Sequence, residues 1–246
     1  MDNAMTYKTA ISSGGAGDLV FSIPIFRAMG VDRVIVKESF YPPGFGSLYS
    51  SIKPLLESQG FAVDPCVDDG KAQFHNFPPD AKYDVNMDEW RACAMRGRWH
   101  IMASMANYWH LRGCTPRTPW LRTEGWKSRF HSFSKPYTIW SLTPRWRENT
   151  FDWKTAWWDH GRHKGYFVGF DSDWQAFQSL VGDDEVPHLH TPDFLELAVM
   201  VHGCTALYCN QGIALAIAQG IGKDHFVAYK TGKTNCRTYT HWDHPL

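Results

Sequence analysis

The amino-acid sequence predicts an α/β protein made of two small parallel sheets in tandem. In two blocks of the chain, short β-branched or aromatic runs alternate with helical patterns, which is typical of parallel βαβ units. A stretch rich in Pro, Arg, Lys and Ser at residues 115–136 separates the two blocks. The length of 246 residues accommodates two small domains. We therefore expect an N-terminal domain at residues 1–130 and a C-terminal domain at residues 131–246.

The first block begins with a strand–turn–helix–strand unit. We expect strands at residues 7–12 and 33–37, a glycine-rich turn at residues 13–17 and a helix at residues 18–29. Pro24 is the one member of the helix that does not fit its apolar face.

The rest of the first block is predicted to be mostly helical. A helix at residues 52–59 precedes a short apolar run at residues 61–63. A longer helical pattern covers residues 87–112, is broken near Gly97, and has Gly113 in the position of a C-cap.

The second block repeats the alternation of strands and helices. Strands are predicted at residues 137–142, 166–169, 206–209 and 226–229, and helices at residues 174–180 and 213–219. The clearest helix start is at residues 191–193, where Thr191 supplies a capping hydroxyl, Pro192 takes the first helical position and Asp193 lies in the first turn. This helix is expected to end at residues 202–203.

Composition excludes several other classes of protein. No apolar run reaches the roughly 18 residues of a membrane span, and the first residues lack the pattern of a signal peptide, so we expect a cytoplasmic protein, in the host cytoplasm if it is viral. The six cysteines are scattered without a C-x-x-C pair. We therefore expect reduced thiols, with neither a disulfide framework nor a zinc ribbon.

The formal net charge is zero, but residues 91–154 are strongly basic. This segment has twelve Lys or Arg against three Asp or Glu, and ten of the twelve tryptophans lie at residues 90–158. Basic residues interleaved with aromatic ones suit a surface that meets phosphates and stacks on bases or sugar rings. A solvated basic face beside a Trp-rich core explains the same pattern, and both interpretations stay open. If the segment is such a surface, its candidate binding residues are Arg98, Trp99, Trp109 and Arg112, which would contact an acceptor substrate.

The glycine turn at residues 14–17 lies between a strand and a helix, where backbone N–H groups and the helix dipole favour an anion. Val20 occupies a position where a dinucleotide fingerprint has Gly or Ala, and no Gly-Lys-Ser/Thr closes a P-loop. Asp18 follows the turn at the carboxyl end of the first strand, so we expect its carboxylate to point into the ligand crevice. An acid that only complements the helix dipole is the alternative.

Metal motifs are present but incomplete. Asp171 and Asp173 form a D-x-D pair that could hold a divalent ion, although helix capping explains it better. Three histidine pairs lie at residues 160 and 163, 188 and 190, and 241 and 244, with no nearby set of Cys or carboxylates to complete a four-ligand site. We therefore predict no metal site and interpret the histidines as polar surface or acceptor-facing residues.

Two loops of the second block could bind phosphate. Arg145 and Arg147 follow the first strand of that block and could both contact an oxyanion, unless they are ordinary solvated residues. Asn210, Gln211 and Gly212 form a turn that opens a helix and could present N–H groups to an anion.

Together these segments resemble the heptosyltransferase-type glycosyltransferases of the GT-B class. Residues 17–24 are similar to the G-D-x-x-x-S-x-P opening of that family, and residues 191–198, 209–212 and 218–220 resemble its donor-binding half. The R-x-R-x-N loop at residues 145–149 is similar to that of small phage and bacterial relatives. The resemblance covers the first 37 residues and residues 137–229, whereas the middle of the chain is not matched.

The resemblance implies two Rossmann-like domains that face a cleft, with the acceptor on the N-terminal domain and a nucleotide-diphosphate sugar on the C-terminal one. It also implies metal-independent transfer with inversion and no cofactor beyond the sugar nucleotide. Asp18 corresponds to the family's general base, which takes the proton from the acceptor hydroxyl group. The residues that correspond to donor-binding positions are Gly17, Arg145, Arg147, Asn149, Asn210, Gln211 and Gly212. The turn at residues 210–213 departs from the family because it lacks the usual serine.

These expectations define an inverting glycosyltransferase whose acceptor we predict to be a hydroxymethylated pyrimidine in phage-type DNA, flipped into the cleft. A lipopolysaccharide core or another anionic glycan is the alternative acceptor. A non-catalytic module that binds nucleotide sugar or nucleic acid and a metal-dependent D-x-D transferase are the competing functions. The sequence makes no prediction of the oligomeric state.

Overall fold

The computed structural model of the protein describes residues 8–12, 14–38, 47–66, 81–92, 100–114, 116–128, 133–144, 147, 151–229 and 243–245. Four of the candidate site residues lie outside this part of the chain, namely Arg98, Trp99, Arg145 and Asn149. The predicted helix break near Gly97 and the domain boundary at residue 130 also lie outside it.

The first sheet has four parallel strands in the order β3-β2-β1-β4. The strands are β1 (Lys8–Ser12), β2 (Val31–Lys37), β3 (Ala62–Cys66) and β4 (Val85–Asn86). The helices of this half are α1 (Ala16–Met29), α2 (Leu48–Ser58) and α3 (Ile101–Tyr108), and a 3₁₀ turn (Glu89–Ala92) follows β4.

The second sheet is also parallel, with five strands in the order β6-β5-β7-β8-β9. The strands are β5 (Thr138–Ser141), β6 (Gly165–Phe167), β7 (Ala206–Asn210), β8 (His225–Ala228) and β9 (Asp243–Pro245). The helices are α4 (Trp153–Ala156), which continues as a π-helix (Trp157–Gly161), α5 (Asp171–Val181), α6 (Phe194–Gly203) and α7 (Ile213–Ile221). The prediction of two parallel α/β sheets is therefore confirmed.

Helix α1 lies in the interior of the molecule. Its residues Leu19, Ile23 and Phe26 are fully buried, and the helix packs on α7 of the other half as well as on α3. Gly30 ends it in the left-handed conformation (φ 68°), from which its N–H bonds the last carbonyls of the helix. Pro24 is accommodated inside α1. Helix α1 therefore contributes to the packing between the two halves of the molecule.

A connecting segment joins the two halves. The backbone N–H groups of Trp120 and Leu121 both donate to the carbonyl oxygen of Gly220 in α7, at 2.7 and 2.8 Å. The indole Nε1 of Trp120 donates to the carbonyl oxygen of Val20 in α1 at 3.1 Å. The segment therefore fastens α1 to α7.

Most tryptophans of the described segments belong to the interior. Trp90, Trp120, Trp140, Trp153 and Trp157 are all buried. Trp140 stacks on Tyr208 with ring centroids 4.2 Å apart, in an aromatic cluster on one face of the second sheet. Trp158, by contrast, is 40% exposed. For the described tryptophans, the Trp-rich core explains the sequence pattern better than a stacking surface.

The predicted helix at residues 87–112 is wrong at both ends. The N–H of Met87 donates to the carbonyl oxygen of Ile11 at 2.8 Å, so pairing with β1 holds this stretch as strand and turn. Helix α3 ends at Tyr108, because the backbone reverses at His110 (φ 54°) and Gly113 (φ 83°) toward the connecting segment. Gly113 is therefore not the C-cap of this helix.

The start of α6 also differs from the prediction. The N-cap is Asp193, whose carboxylate accepts a hydrogen bond from the N–H of Glu196 at 2.8 Å. The helix therefore begins two residues after Pro192, and Thr191 does not cap it.

Cys66, Cys204 and Cys209 are buried, Cys114 is partly buried, and none of these four forms a disulfide within the described part of the chain. Within the described residues, no helix combines the length and apolarity needed to cross a membrane.

Candidate functional site

A cavity of about 360 Å³ lies between the two halves of the molecule. The carboxyl ends of β5, β6 and β7 form one side of it, and the start of α1 forms the other. Parallel sheets of this kind bind ligands at the carboxyl ends of their strands. The lining includes Gly15, Gly17, Ser141, Thr143, Gly169, Phe170, Asp173, Thr191, Asn210, Gln211 and Gly212.

Three helices begin at the cavity without a side-chain cap. The N-cap residues of α1, α5 and α7 are Gly15, Phe170 and Gly212, and none of them accepts a helix N–H with its side chain. The other described α-helices, α2, α3, α4 and α6, are capped by Ser47, His100, Asp152 and Asp193. A helix start without a side-chain cap presents the positive end of the helix dipole, although at α5 the Asp173 carboxylate already accepts the Phe170 N–H. The cavity is thus built to hold a negatively charged group.

Helices α1 and α7 start close together. A Cβ placed on Gly17 would lie 3.8 Å from the carbonyl oxygen of Gly212. The two glycine turns that the sequence predicts as anion sites, at residues 14–17 and 210–212, therefore face the same cavity from opposite halves of the molecule.

Asn210 fixes the shape of the cavity wall. Its side-chain oxygen accepts a hydrogen bond from the Thr143 N–H at 3.0 Å, and its Nδ2 donates to the Thr143 carbonyl oxygen at 2.8 Å. These bonds tie the loop after β5 to the end of β7. The hydroxyl oxygen of Thr143 is buried without a hydrogen-bond partner among the described residues. It is a candidate polar contact for a ligand that the sequence analysis did not identify.

Asp173 is a second lining residue whose place in the site the sequence did not predict. It lies in the first turn of α5, and the N–H of Phe170 donates to its carboxylate. Burial raises the pKa of Asp173 to about 6. A carboxyl group that is partly protonated near neutral pH can donate a hydrogen bond to an oxyanion or a hydroxyl group.

Asp18 lies next to the cavity, on the side of the first sheet. Its carboxylate accepts a hydrogen bond from Nη2 of Arg91 in the 3₁₀ turn after β4. The Nε of Arg91 is 3.6 Å from Oδ1 of the buried Asp88. Asp18 is not among the residues that line the cavity, although its neighbours Gly15, Ala16 and Gly17 are. The Asp18 carboxylate thus contacts Arg91 of the first half and does not line this cavity, so the expected position in the ligand crevice is not found there, and its role as general base stays a prediction. Arg91 is a neighbour of Asp18 that local sequence patterns do not single out.

Three further predicted residues are described by the structure. Arg147 is partly buried, and its backbone N–H donates to the Pro144 carbonyl oxygen at 3.3 Å. Trp109 is partly buried and contacts Tyr108 edge to face, with ring centroids 4.9 Å apart. Arg112 is exposed. The donor role of Arg147 and the acceptor roles of Trp109 and Arg112 stay predictions.

One histidine pair lies beside a carboxylate, which brings together three candidate ligands but not a four-ligand site. The Nδ1 of His188 is 3.5 Å from Oδ1 of Asp171, and His190 lies beside His188 with ring centroids 4.1 Å apart. Burial lowers the pKa of His188. The cluster lies directly behind the cavity wall, because Nε2 of His188 is 3.0 Å from the carbonyl oxygen of the lining residue Gly169.

Two Rossmann-like parallel sheets that face a cleft, with the candidate site at the carboxyl ends of the strands, define a GT-B-like fold. Solved structures share this fold over almost the whole chain. A family 9 glycosyl transferase from Veillonella parvula DSM 2008 matches with a TM-score of 0.64 and 14% identity, covering 100% of this chain and 87% of the other.

Two Escherichia coli enzymes match as well. The ADP-heptose lipopolysaccharide heptosyltransferase II has a TM-score of 0.56 at 10% identity, over 98% of this chain and 90% of the other. The dodecameric iron-containing heptosyltransferase TibC, in complex with ADP-D-β-D-heptose, has a TM-score of 0.55 at 11% identity, over 99% of this chain and 65% of the other. The predicted GT-B-like fold is thereby confirmed. No protein-family model matches the sequence, and no curated protein matches it.

Proposed function

We propose that the protein is a glycosyltransferase that takes its sugar from a nucleotide-diphosphate sugar bound in the cavity. The observation that carries this proposal is the convergence of two uncapped helix starts on that cavity from opposite halves of the molecule, at Gly15 and Gly212. A diphosphate is the anion that such an arrangement suits, since each helix start favours negative charge.

The size and lining of the cavity agree with a nucleotide sugar. Its volume of about 360 Å³ falls within the roughly 300–1,000 Å³ of small-molecule sites. The lining is largely apolar with a few polar groups, among them Thr143, Asp173 and Gln211. A structural neighbour of this fold was solved with ADP-D-β-D-heptose, a ligand of the proposed class.

The proposed reaction is a single displacement with inversion. The acceptor hydroxyl oxygen forms a bond to the anomeric carbon as the bond from that carbon to the diphosphate oxygen breaks. Asp18 takes the proton of the hydroxyl group, and the diphosphate leaves with the bonding electron pair. The helix starts of α1 and α7 stabilise the charge that develops on the diphosphate, together with Arg145 and Arg147, so that the transfer needs no metal ion.

Replacing Asp18 tests the proposed chemistry. Loss of a general base typically costs 10²- to 10⁴-fold in rate, so Asp18→Asn is expected to lower kcat by about that factor while affinity for the nucleotide sugar stays within about twofold. Asp64→Asn, at an exposed ion pair with Arg33, is the matched control and keeps full activity. Unchanged turnover in Asp18→Asn would show that Asp18 is not the base. If the wild-type protein binds nucleotide sugars but never consumes one, the non-catalytic binding module is the correct function.

For the acceptor, we propose a hydroxymethylated pyrimidine in DNA. The basic segment at residues 91–154 supports a polyanionic acceptor, and several of its cations are exposed, namely Arg112, Arg117, Arg122, Lys127, Lys135 and Lys154. A flipped pyrimidine presents its hydroxymethyl group to a cleft such as this one.

The acceptor is tested by incubating the protein with a panel of sugar nucleotides and either hydroxymethylated or plain DNA. The DNA is then digested to nucleosides, and mass spectrometry detects an added hexose or pentose. Binding to DNA is also expected to weaken steeply with salt, whereas binding to a short glycan changes little. Sugar transfer to lipopolysaccharide core but not to DNA would identify the alternative acceptor.

A further inference from the structure

We propose that Asp171, His188 and His190 form a binding site for a divalent transition-metal ion of the Zn²⁺ type. The three side chains each offer one ligand atom, and these atoms all lie within 4.8 Å of one another. Among the described residues, no other group of three or more His, Cys, Asp or Glu has this spacing. The sequence contains the two halves of the site as separate motifs, at residues 171–173 and 188–190.

The distances suit a small cation. Two ligands at the usual 2.0–2.1 Å from a tetrahedral Zn²⁺ lie about 3.4 Å apart. Oδ1 of Asp171 and Nδ1 of His188 are 3.5 Å apart, close to this value. His190 is exposed and needs only a side-chain adjustment to complete the set.

His188 is already oriented as a ligand. Its Nε2 is 3.0 Å from the Gly169 carbonyl oxygen, an acceptor that holds the proton on Nε2 and leaves the lone pair of Nδ1 toward Asp171. Metal-binding histidines typically donate their second ring N–H to a backbone carbonyl in this way. The indole of Trp174 stacks on the ring at 4.9 Å and 16° and further restricts its rotation.

The local backbone brings the ligands together. Phe167 at the end of β6 forms a parallel bridge to His188, which places the extended segment 188–190 beside the loop that leads into α5. Residues two apart on an extended segment point to the same side, so His188 and His190 both face Asp171. Two imidazoles and one carboxylate are a donor set that favours Zn²⁺, Co²⁺ or Ni²⁺ over Mg²⁺ or Ca²⁺.

The ion would brace the wall of the cavity. Asp171 follows the lining residues Gly169 and Phe170, and His190 precedes the lining residues Thr191 and Pro192. A bound ion would link these two stretches through the residues next to the lining, and it would not itself lie in the cavity. This role differs from that of a D-x-D metal, which contacts the diphosphate directly, and it does not depend on the proposed sugar transfer.

The test is calorimetric titration of Zn²⁺ into the tag-free, chelator-treated protein without nucleotide. We expect one Zn²⁺ per chain with a Kd below about 100 µM, and a melting temperature that rises with Zn²⁺ concentration. His190→Ala is the main variant, because this exposed side chain can be removed without opening the core. It is expected to weaken Zn²⁺ binding at least about tenfold and to abolish the rise in melting temperature.

His163→Ala is the matched control, since His163 is an exposed histidine of another pair in the sequence. It should bind Zn²⁺ like the wild type. Mg²⁺ in place of Zn²⁺ should give no rise in melting temperature at the same concentration. The proposal is overturned if the wild type does not bind Zn²⁺ in this range, or if His190→Ala binds it with unchanged affinity and stoichiometry.

Discussion

Arg91 donates a hydrogen bond to the carboxylate of Asp18 and so links the 3₁₀ turn after β4 to the first turn of α1. The same guanidinium lies 3.6 Å from the carboxylate of Asp88, which is only 1% exposed. It also lies over the ring of Trp90, 5.1 Å from the centroid. One cation therefore compensates two carboxylates and sets the direction in which Asp18 points.

Arg91→Ala is expected to destabilise the fold by about 1–3 kcal/mol, because the variant leaves the buried Asp88 carboxylate without its cation. We also expect kcat for sugar transfer to fall, since Asp18 loses the partner that orients it. Urea denaturation gives the free energy of unfolding, and initial rates give kcat.

Arg33→Ala is the control for this variant, because Arg33 pairs with Asp64 at 2.9 Å while both side chains are more than 40% exposed. Such a surface pair contributes about 0–1 kcal/mol. If Arg91→Ala and Arg33→Ala lower the free energy of unfolding equally, Arg91 contributes no more than a surface cation does.

Asn210→Ala removes both hydrogen bonds between the end of β7 and the backbone of Thr143. Because the Thr143 backbone then lacks two partners beside the cavity, we expect a loss of about 1–3 kcal/mol in stability and weaker binding of the nucleotide sugar. Asn210→Asp keeps the acceptor for the Thr143 N–H but sets a carboxylate oxygen against the Thr143 carbonyl oxygen beside the proposed anion site, so it should weaken nucleotide-sugar binding at least as much as Asn210→Ala. Calorimetric titration with the nucleotide sugar measures the affinity, and unchanged affinity in Asn210→Ala would show that this bridge does not shape the site.

Local sequence signals predict those parts of the site that lie within a single strand–turn–helix unit. The glycine turn before Asp18 and the turn at Asn210–Gly212 are of this kind, since turn residues and helix starts are encoded by a few neighbouring residues. Both turns line the cavity, as the sequence suggests.

Contacts between segments that are far apart in the chain cannot be predicted from local sequence signals. Arg91 and Asp18 are 73 residues apart in the chain, and their contact depends on the pairing of β4 with β1. The same is true of Asp171 and His188, which meet because Phe167 bridges to His188. The predicted helix at residues 87–112 starts too early for a related reason, because the N–H of Met87 donates to the carbonyl oxygen of Ile11 in β1.

Gly220→Ala should loosen the junction between the two halves of the molecule. A Cβ at Gly220 would lie 2.7 Å from Cγ and Cδ1 of the buried Leu121, and overpacking of this kind costs about 1–3 kcal/mol. Higher helix propensity of Ala offsets part of this, so we expect a net loss of about 1–2 kcal/mol in urea denaturation. Gly15→Ala is the control, because its Cβ would meet no atom within 4 Å. A Gly220→Ala variant as stable as wild type would show that Leu121 can move away at little cost.

Asp173 is expected to make stability depend on pH. Burial raises its pKa from 3.8 to about 6, so between these values the folded chain binds a proton that the unfolded chain has released. Stability therefore falls as pH rises through this window, since the folded state is the one that holds more protons.

Asp173→Asn removes this titration while keeping an oxygen that can accept the Phe170 N–H. We expect the variant to match the wild type in urea denaturation at pH 4 and to be the more stable of the two at pH 7. Asp184→Asn, which replaces an exposed carboxylate after the end of α5, is the control, and it should not reproduce the gain in stability at pH 7. Parallel pH profiles for the wild type and Asp173→Asn would mean that the Asp173 carboxyl group is solvated rather than desolvated at the cavity wall.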